Sequence, residues 1–246
     1  MHLDIIIVTY NSERFIKDCL ESIMNYTPVS KSIYIVDNGS VDGTLPYLKS
    51  INDIYILENK GNLGYSAAVN RGIRAGTGDI IAIFNADTRV TEGWLEPLIQ
   101  CLYSDPKVAV VGPKMINSNN QIVACGTSWD WSMPGFMDEN RVGLLDEQRD
   151  CLVVNGACFL IKRENIPILG LLDENYFFYF EETDYCFNAN SLGYRVVFCP
   201  KSLIYHEHDF SSRNKPHQVQ FWAESEKFFN SKWRYDPFSR TIYKKF

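Results

Sequence analysis

The chain has 246 residues, 46% hydrophobic and 22% charged, with a formal net charge of -6, so it can bury a sizeable core and has none of the bias of a disordered tail. The acidic balance argues against a protein that holds nucleic acid by bulk attraction to phosphate, and no nucleic-acid partner is expected. The longest apolar runs, such as Ile5 to Val8 and Ile80 to Phe84, fall far short of the roughly 20 residues that span a bilayer.

Asp4 stands where a secretory leader would be apolar, so secretion is not expected. Seven cysteines without a C-x-x-C pair, most of them within apolar runs, read as reduced core thiols of a cytoplasmic protein rather than a zinc site or a disulfide framework.

In chain order, Leu3 to Val8 reads as a buried strand and Thr9-Tyr10-Asn11-Ser12 as the turn after it. From Glu13, residues Phe15, Ile16, Cys19, Leu20, Ile23 and Met24 recur at one-face helical spacing, with Ser12 as the expected N-cap. Ser32 to Val36 is the next strand, closed by the turn Asp37-Asn38-Gly39-Ser40. A right-handed crossover then brings Thr9 and Asp37 to one sheet edge. A short helix near Leu45 to Ile51, a strand at Ile54 to Leu57, the loop Glu58 to Tyr65 and a helix from about Ser66 to Ala75 follow.

The apolar run Ile80 to Phe84 suits a strand buried on both faces. Its polar end, Asn85-Ala86-Asp87, falls where ligands collect in an open α/β sheet, although an Asp there can equally end the strand and cap a turn. An amphipathic helix is marked by Trp94, Leu95, Leu98, Ile99 and Leu102, and a buried strand by Val108 to Val111. The alternation predicts an α/β fold, a mostly parallel sheet covered by helices on both faces. Neither G-x-G-x-x-G after a strand nor G-x-x-x-x-G-K-[ST] is present.

Met115 to about Cys151 lacks a pattern, and such a long irregular stretch is usually functional or mobile. Leu152 to Lys162 holds two short apolar runs around Asn155-Gly156-Ala157. The aromatic block Tyr176 to Phe180 leads into Glu181-Glu182-Thr183-Asp184, acids that suit the N-terminus of a helix running through Leu192 to a stop at Gly193. Arg195 to Cys199 and Ser202 to Tyr205 read as two strands, the second running into His206-Glu207-His208.

Taken in order, Ile5 to Asn11, Val36 to Thr44, Asn62-Leu63-Gly64-Tyr65 with Asn70 and Gly72, Phe84 to Asp87, Asn155-Gly156-Ala157 and Tyr179 to Tyr185 resemble the pattern of glycosyltransferase family 2 over about residues 3 to 212. The bacterial rhamnosyl- and galactofuranosyltransferase-like members look most similar. The resemblance implies a GT-A fold, Rossmann-like with a smaller acceptor-side subregion. It implies an inverting transferase that moves sugar from a nucleotide-sugar donor, UDP- or dTDP-linked, to a hydroxyl of a glycan or lipid-linked acceptor in bacterial surface polysaccharide synthesis.

It also implies a divalent metal, Mg²⁺ or Mn²⁺, to neutralise the departing diphosphate. The family's D-x-D falls on Asn85-Ala86-Asp87, which makes Asp87 a metal ligand and leaves Asn85 and Ala86 beside the donor. His206 matches the family's His after the last core strand and is the second expected ligand. Glu182 aligns with the catalytic base, with Glu181 and Asp184 expected to raise its pKa by like-charge repulsion. Asn188 stands where the family often has Arg. Thr9, Asn11, Asp37 and Asn38 carry over as nucleoside contacts, and Asn62, Gly64, Asn70 and Arg71 as the inner wall of the donor pocket.

The expected organisation is a nucleotide-sugar half over 1–114, a metal-completing and acceptor half over 115–212, and a basic, aromatic extension over 213–246. Residues 227–246 combine Lys and Arg with Phe, Trp and Tyr, which suits either a membrane surface or a last helix packed on the domain. Two rival classes are a sugar-nucleotide-forming nucleotidyltransferase, whose basic Gly-rich N-terminal loop is missing here, and an inactive nucleotide-sugar-binding module, suggested by Asn85 and Glu182.

Overall fold

A computed structural model of the chain describes residues 1–133, 145–207 and 216–245. The N-terminal half alternates as the apolar spacing predicts: β1 (Leu3–Thr9), α1 (Glu13–Tyr26), β2 (Lys31–Asp37), α2 (Thr44–Lys49), β3 (Tyr55–Glu58), α3 (Tyr65–Ala75) and β4 (Ile80–Asn85). Then come β5 (Thr88–Val90), α4 (Leu95–Leu102), β6 (Val108–Ile116), β7 (Ile122–Ala124), β8 (Arg149–Asp150) and β9 (Cys158–Lys162). The remainder is α5 (Ile166–Leu169), α6 (Glu181–Ser191), β10 (Arg195–His206), α7 (Pro216–Lys232) and the hairpin β11 (Trp233–Asp236) and β12 (Thr241–Lys244).

The main sheet has the order β3-β2-β1-β4-β9-β6-β10-β5, with β7 on β6 and β8 on β10. β3, β2, β1, β4, β6 and β10 run one way, while β9 lies antiparallel between β4 and β6. Successive strand residues point to opposite faces. Thus Ile5 and Ile7 pack with Ile16, Leu20 and Leu98 of α1 and α4, whereas Ile6 packs with Val69 of α3 and Phe187 of α6 on the other side. The sheet is therefore buried on both faces, which is why β1, β4 and β6 read as continuous apolar runs.

Several local expectations are corrected. Ser12 occupies the N-cap position, but its hydroxyl accepts from the Tyr10 amide at 3.2 Å; the start of α1 is held instead by Asp42, which accepts from the Glu13 amide at 3.1 Å. The two strands expected at 195–199 and 202–205 are one strand, β10, with a register shift between Cys199 and Leu203 that absorbs Pro200, Lys201 and Ser202. The patternless stretch after Met115 still contributes β7 and β8 to the sheet. All seven cysteines are buried free thiols, and burial pushes Cys19 and Cys151 up to about 12. Among the described residues, no helix is long and apolar enough to cross a membrane.

Candidate active site

β1 and β2 run parallel, as do β1 and β4, so Thr9, Asp37 and Asn85 finish at the same edge of the sheet, where its order reverses and a ligand crevice is expected. Just past β4 the chain turns into β5, a strand too short to be seen as a pattern. β5 pairs antiparallel with the end of β10 and sets Thr88 opposite His206. The Glu207 amide donates to the Asp87 carbonyl at 3.2 Å, and Asp87 Oδ2 comes within 3.4 Å of His206 Nε2. His206 is buried and Asp87 partly exposed, so the pair has one side toward solvent. Ala86 points into the core.

Glu181 and Glu182 open α6 after Tyr179 and Phe180, which hold φ of 74° and 69°. Non-glycine residues in that region cost about 1–3 kcal/mol each unless the surroundings hold them. The Tyr179 hydroxyl donates to Gln218 Oε1 of α7 at 2.6 Å, and the Phe180 ring packs on Trp222 and Phe229 at 5.0 and 5.3 Å.

The segment Asn155-Gly156-Ala157 binds these parts together. Asn85 donates its amide to the Ala157 carbonyl at 2.9 Å, the Tyr65 hydroxyl donates to the Gly156 carbonyl at 3.1 Å, and the Glu182 carboxyl lies over Gly156. A Cβ at position 156 would stand 3.0 Å from the Glu182 carboxyl carbon, so any larger residue would push that carboxyl aside.

Burial raises both carboxyls above the usual range, Glu181 strongly, with the Glu182 charge as a second cause. Glu181 Oε2 is buried without a hydrogen-bond partner among the described residues. Asp184, expected to add repulsion, does something else. It accepts from Lys232 Nζ at 2.8 Å, from Trp233 Nε1 at 2.7 Å and from the Tyr176 hydroxyl at 3.0 Å, away from Glu182. Lys232 also donates to Asp173 at 2.7 Å, and these partners raise its pKa against the opposing effect of burial. Asn188, in place of the family's Arg, donates to the Leu169 carbonyl at 2.8 Å and ties α6 to α5.

A cavity of about 660 Å³ has Asn85, Asp87, Glu181, Glu182 and His206 in its wall, together with Tyr65 and the 155–157 backbone. The other candidate residues form a separate, hydrogen-bonded group. Asp37 accepts from Thr9 Oγ1 at 2.9 Å, from the amides of Gly39 and Ser40 at 3.1 and 2.9 Å, and from Ser40 Oγ at 2.6 Å. Asn11 accepts from the Val41 amide, and Asn38 donates to the Gly64 carbonyl while accepting from Asn59.

Asn62 accepts from the Gly64 amide at 2.9 Å. Gly64, at φ 88°, lets Phe177 approach so closely that a side chain would collide with its carbonyl. Asn70 spends its amide on Leu172 and Glu174, and Arg71 on the Glu58 carbonyl and Asn59. None of Thr9, Asn11, Asp37, Asn38, Asn62, Gly64, Asn70 and Arg71 is in the wall of that cavity.

The sequence placed Tyr65 within the Asn62 to Arg71 region read as the donor-pocket wall, but did not single out Trp131 or the α7 residues that complete the wall. The Tyr65 signal was its place in Asn62-Leu63-Gly64-Tyr65; α7 mixes polar and aromatic residues on one face and gives no apolar stripe. His208 lies outside the described residues, as does the 134–144 part of the patternless stretch after Met115.

A mostly parallel central sheet covered by helices on both faces is the GT-A fold. A crystal structure of GalNAc-T7 with UDP, GalNAc and Mn²⁺ superposes with a TM-score of 0.69 at 19% identity, over 94% of this chain and 50% of that one. The mannosyltransferase PcManGT of Pyrobaculum calidifontis, in complex with GDP-Man and Mn²⁺, gives 0.64 at 20% identity, over 92% and 64%.

The family model for glycosyl transferase family 2 matches residues 4–166, and the chain belongs to that family. An N-acetylglucosaminyl-diphospho-decaprenol L-rhamnosyltransferase of Mycobacterium tuberculosis is 24% identical over 242 residues, covering 87% of this chain and 78% of the relative. The chain thus belongs with the glycosyl-transferring enzymes of that family.

Proposed function

We propose that the chain transfers a sugar, with inversion at the anomeric carbon, from a UDP- or dTDP-linked donor to a hydroxyl of a glycan or lipid-linked acceptor of a cell-surface polysaccharide. The observation that carries this reading is the meeting of Glu182 with the Asp87–His206 pair in the wall of one cavity. Glu182 takes the proton from the acceptor hydroxyl, and its burial makes it a stronger base than an exposed glutamate. Asn85 lies beside the donor, and Tyr65 fixes the Gly156 backbone under the base.

No group of three or more His, Cys, Asp or Glu that could hold a metal occurs among the described residues. The Asp87 carboxylate and His206 imidazole would nevertheless be the residues to hold a divalent cation such as Mn²⁺, an oxygen and nitrogen pair that suits it. Such a cation supplies the charge that offsets the departing diphosphate. In this reading 1–114 serves the donor and 115–212 the acceptor. The exposed Phe238, near Arg240 and Tyr243 on the terminal hairpin, supports contact with an anionic membrane from the cytoplasmic side, to be measured by vesicle co-sedimentation.

Nucleoside diphosphate release from a panel of UDP- and dTDP-sugars, with and without Mn²⁺, tests the main reading. Glu182→Gln and Asp87→Ala are each expected to lower turnover about 100-fold or more while the folded state persists. Unchanged turnover refutes the assignment. Pyrophosphate as the product would instead mark a nucleotidyltransferase, and nucleotide binding without turnover an inactive module.

A further inference from the structure

The cavity extends beyond the reacting groups. Its far part is built by Trp131, after β7, and by a stripe of α7: Gln218, Trp222, Glu226, Phe229 and Asn230. Gln218, Trp222, Glu226 and Asn230 follow one another at one-turn spacing, and Phe229 lies one turn beyond Glu226 beside Asn230, so they form a single face. That face is neither a core stripe nor a solvent face. Phe229 is buried, whereas Trp222 and Trp131 remain 44% and 46% exposed.

Trp131 is braced by the Phe187 ring, stacked at 5.5 Å, and Trp222 by Tyr179 and Phe180, edge-on at 5.2 and 5.0 Å. Both indoles are thus held by protein rings and still present surface to the cavity. The Glu226 carboxylate and the Asn230 carboxamide have no hydrogen-bond or ion-pair partner among the described residues.

We propose that this part of the cavity is a saccharide subsite, taking the second sugar ring of the acceptor, next to the ring whose hydroxyl is glycosylated. A pyranose has a C–H face that covers an indole and a rim of hydroxyls that need donors and acceptors. Trp131 and Trp222 supply the first surface, and Gln218, Glu226 and Asn230 the second. A hydrocarbon chain in the same place would desolvate the carboxylate and the amides with nothing in return. The inference rests on the transfer reading above and adds that an acceptor of two or more sugars is preferred to a single one.

The test uses the full chain with UDP and Mn²⁺. It titrates p-nitrophenyl glycosides of glucose, galactose, N-acetylglucosamine and rhamnose, and the disaccharides of each, by calorimetry. At least one disaccharide is expected to bind about tenfold more tightly than its monosaccharide. Trp222→Ala and Trp131→Ala abolish that difference, and Glu226→Gln and Asn230→Ala reduce it.

Trp222 also supports Phe180, so the thermal shift on UDP addition reports in each variant whether the donor side is intact; Glu226→Gln and Asn230→Ala, which brace no ring, decide the matter if it is not. Equal affinities, no binding across the panel, a preference that survives these variants, or occupation by farnesyl phosphate in place of sugar overturns the subsite. Donor turnover with no disaccharide preference removes the subsite alone. A Trp222-dependent preference with no donor turnover removes the transfer reading alone.

Discussion

Asp184 and Glu182 sit on the same turn of α6 and meet opposite surroundings. Asp184 is saturated by Lys232, Trp233 and the Tyr176 hydroxyl, while Glu182 rests over the Gly156 backbone with its carboxyl raised by burial. The same division separates Asp37, with its four donors, from Glu181, with an orphaned oxygen. A buried carboxylate surrounded by fixed donors has its charge offset within the fold. One left short of partners keeps its proton affinity available for chemistry.

The comparison is broken most severely at Asp184. Asp184→Ala leaves Lys232 buried against Asp173 alone and is expected to cost about 3–5 kcal/mol, read from the urea midpoint. A cost near zero would mean the hub is ornamental. Asp37→Asn keeps the shape but turns an acceptor into a donor facing the Gly39 and Ser40 amides or the two hydroxyls, at about 1–3 kcal/mol in the same measurement.

Glu181→Gln works the other way and should stabilise by about 1 kcal/mol. The folded pKa of Glu181 is raised, so its ionisation removes stability as pH rises through that value, and glutamine does not ionise. The gain in melting temperature is therefore larger near about pH 8 than near about pH 5. A gain that shrinks with pH would show that Glu181 is stabilised as the anion.

The parallel strands were legible because a strand buried on both faces must be apolar throughout, and Ile5-Ile6-Ile7 and Ile80 to Phe84 are. Helix α6 was legible from its acids and from the stop at Gly193, whose φ is 76°. The antiparallel β9 and β5 were not, because direction and neighbour are set by partners far along the chain: β5 is three residues whose meaning comes from His206.

Asp184 was misread for the same reason, its partners lying 48 and 49 residues away. The basic, aromatic C-terminal stretch is a partial case: Phe229 and Trp233 turn into the core, while Phe238 is almost wholly exposed.

Lys232 gives α6 a history as well as a place. Synthesis runs from the N-terminus, so Asp184 leaves the ribosome 48 residues ahead of the cation that neutralises it. In that interval the carboxylate has the Tyr176 hydroxyl but no cation to offset its burial. The nascent chain can close its sheet early, yet Asp184 meets its cation only when α7 docks.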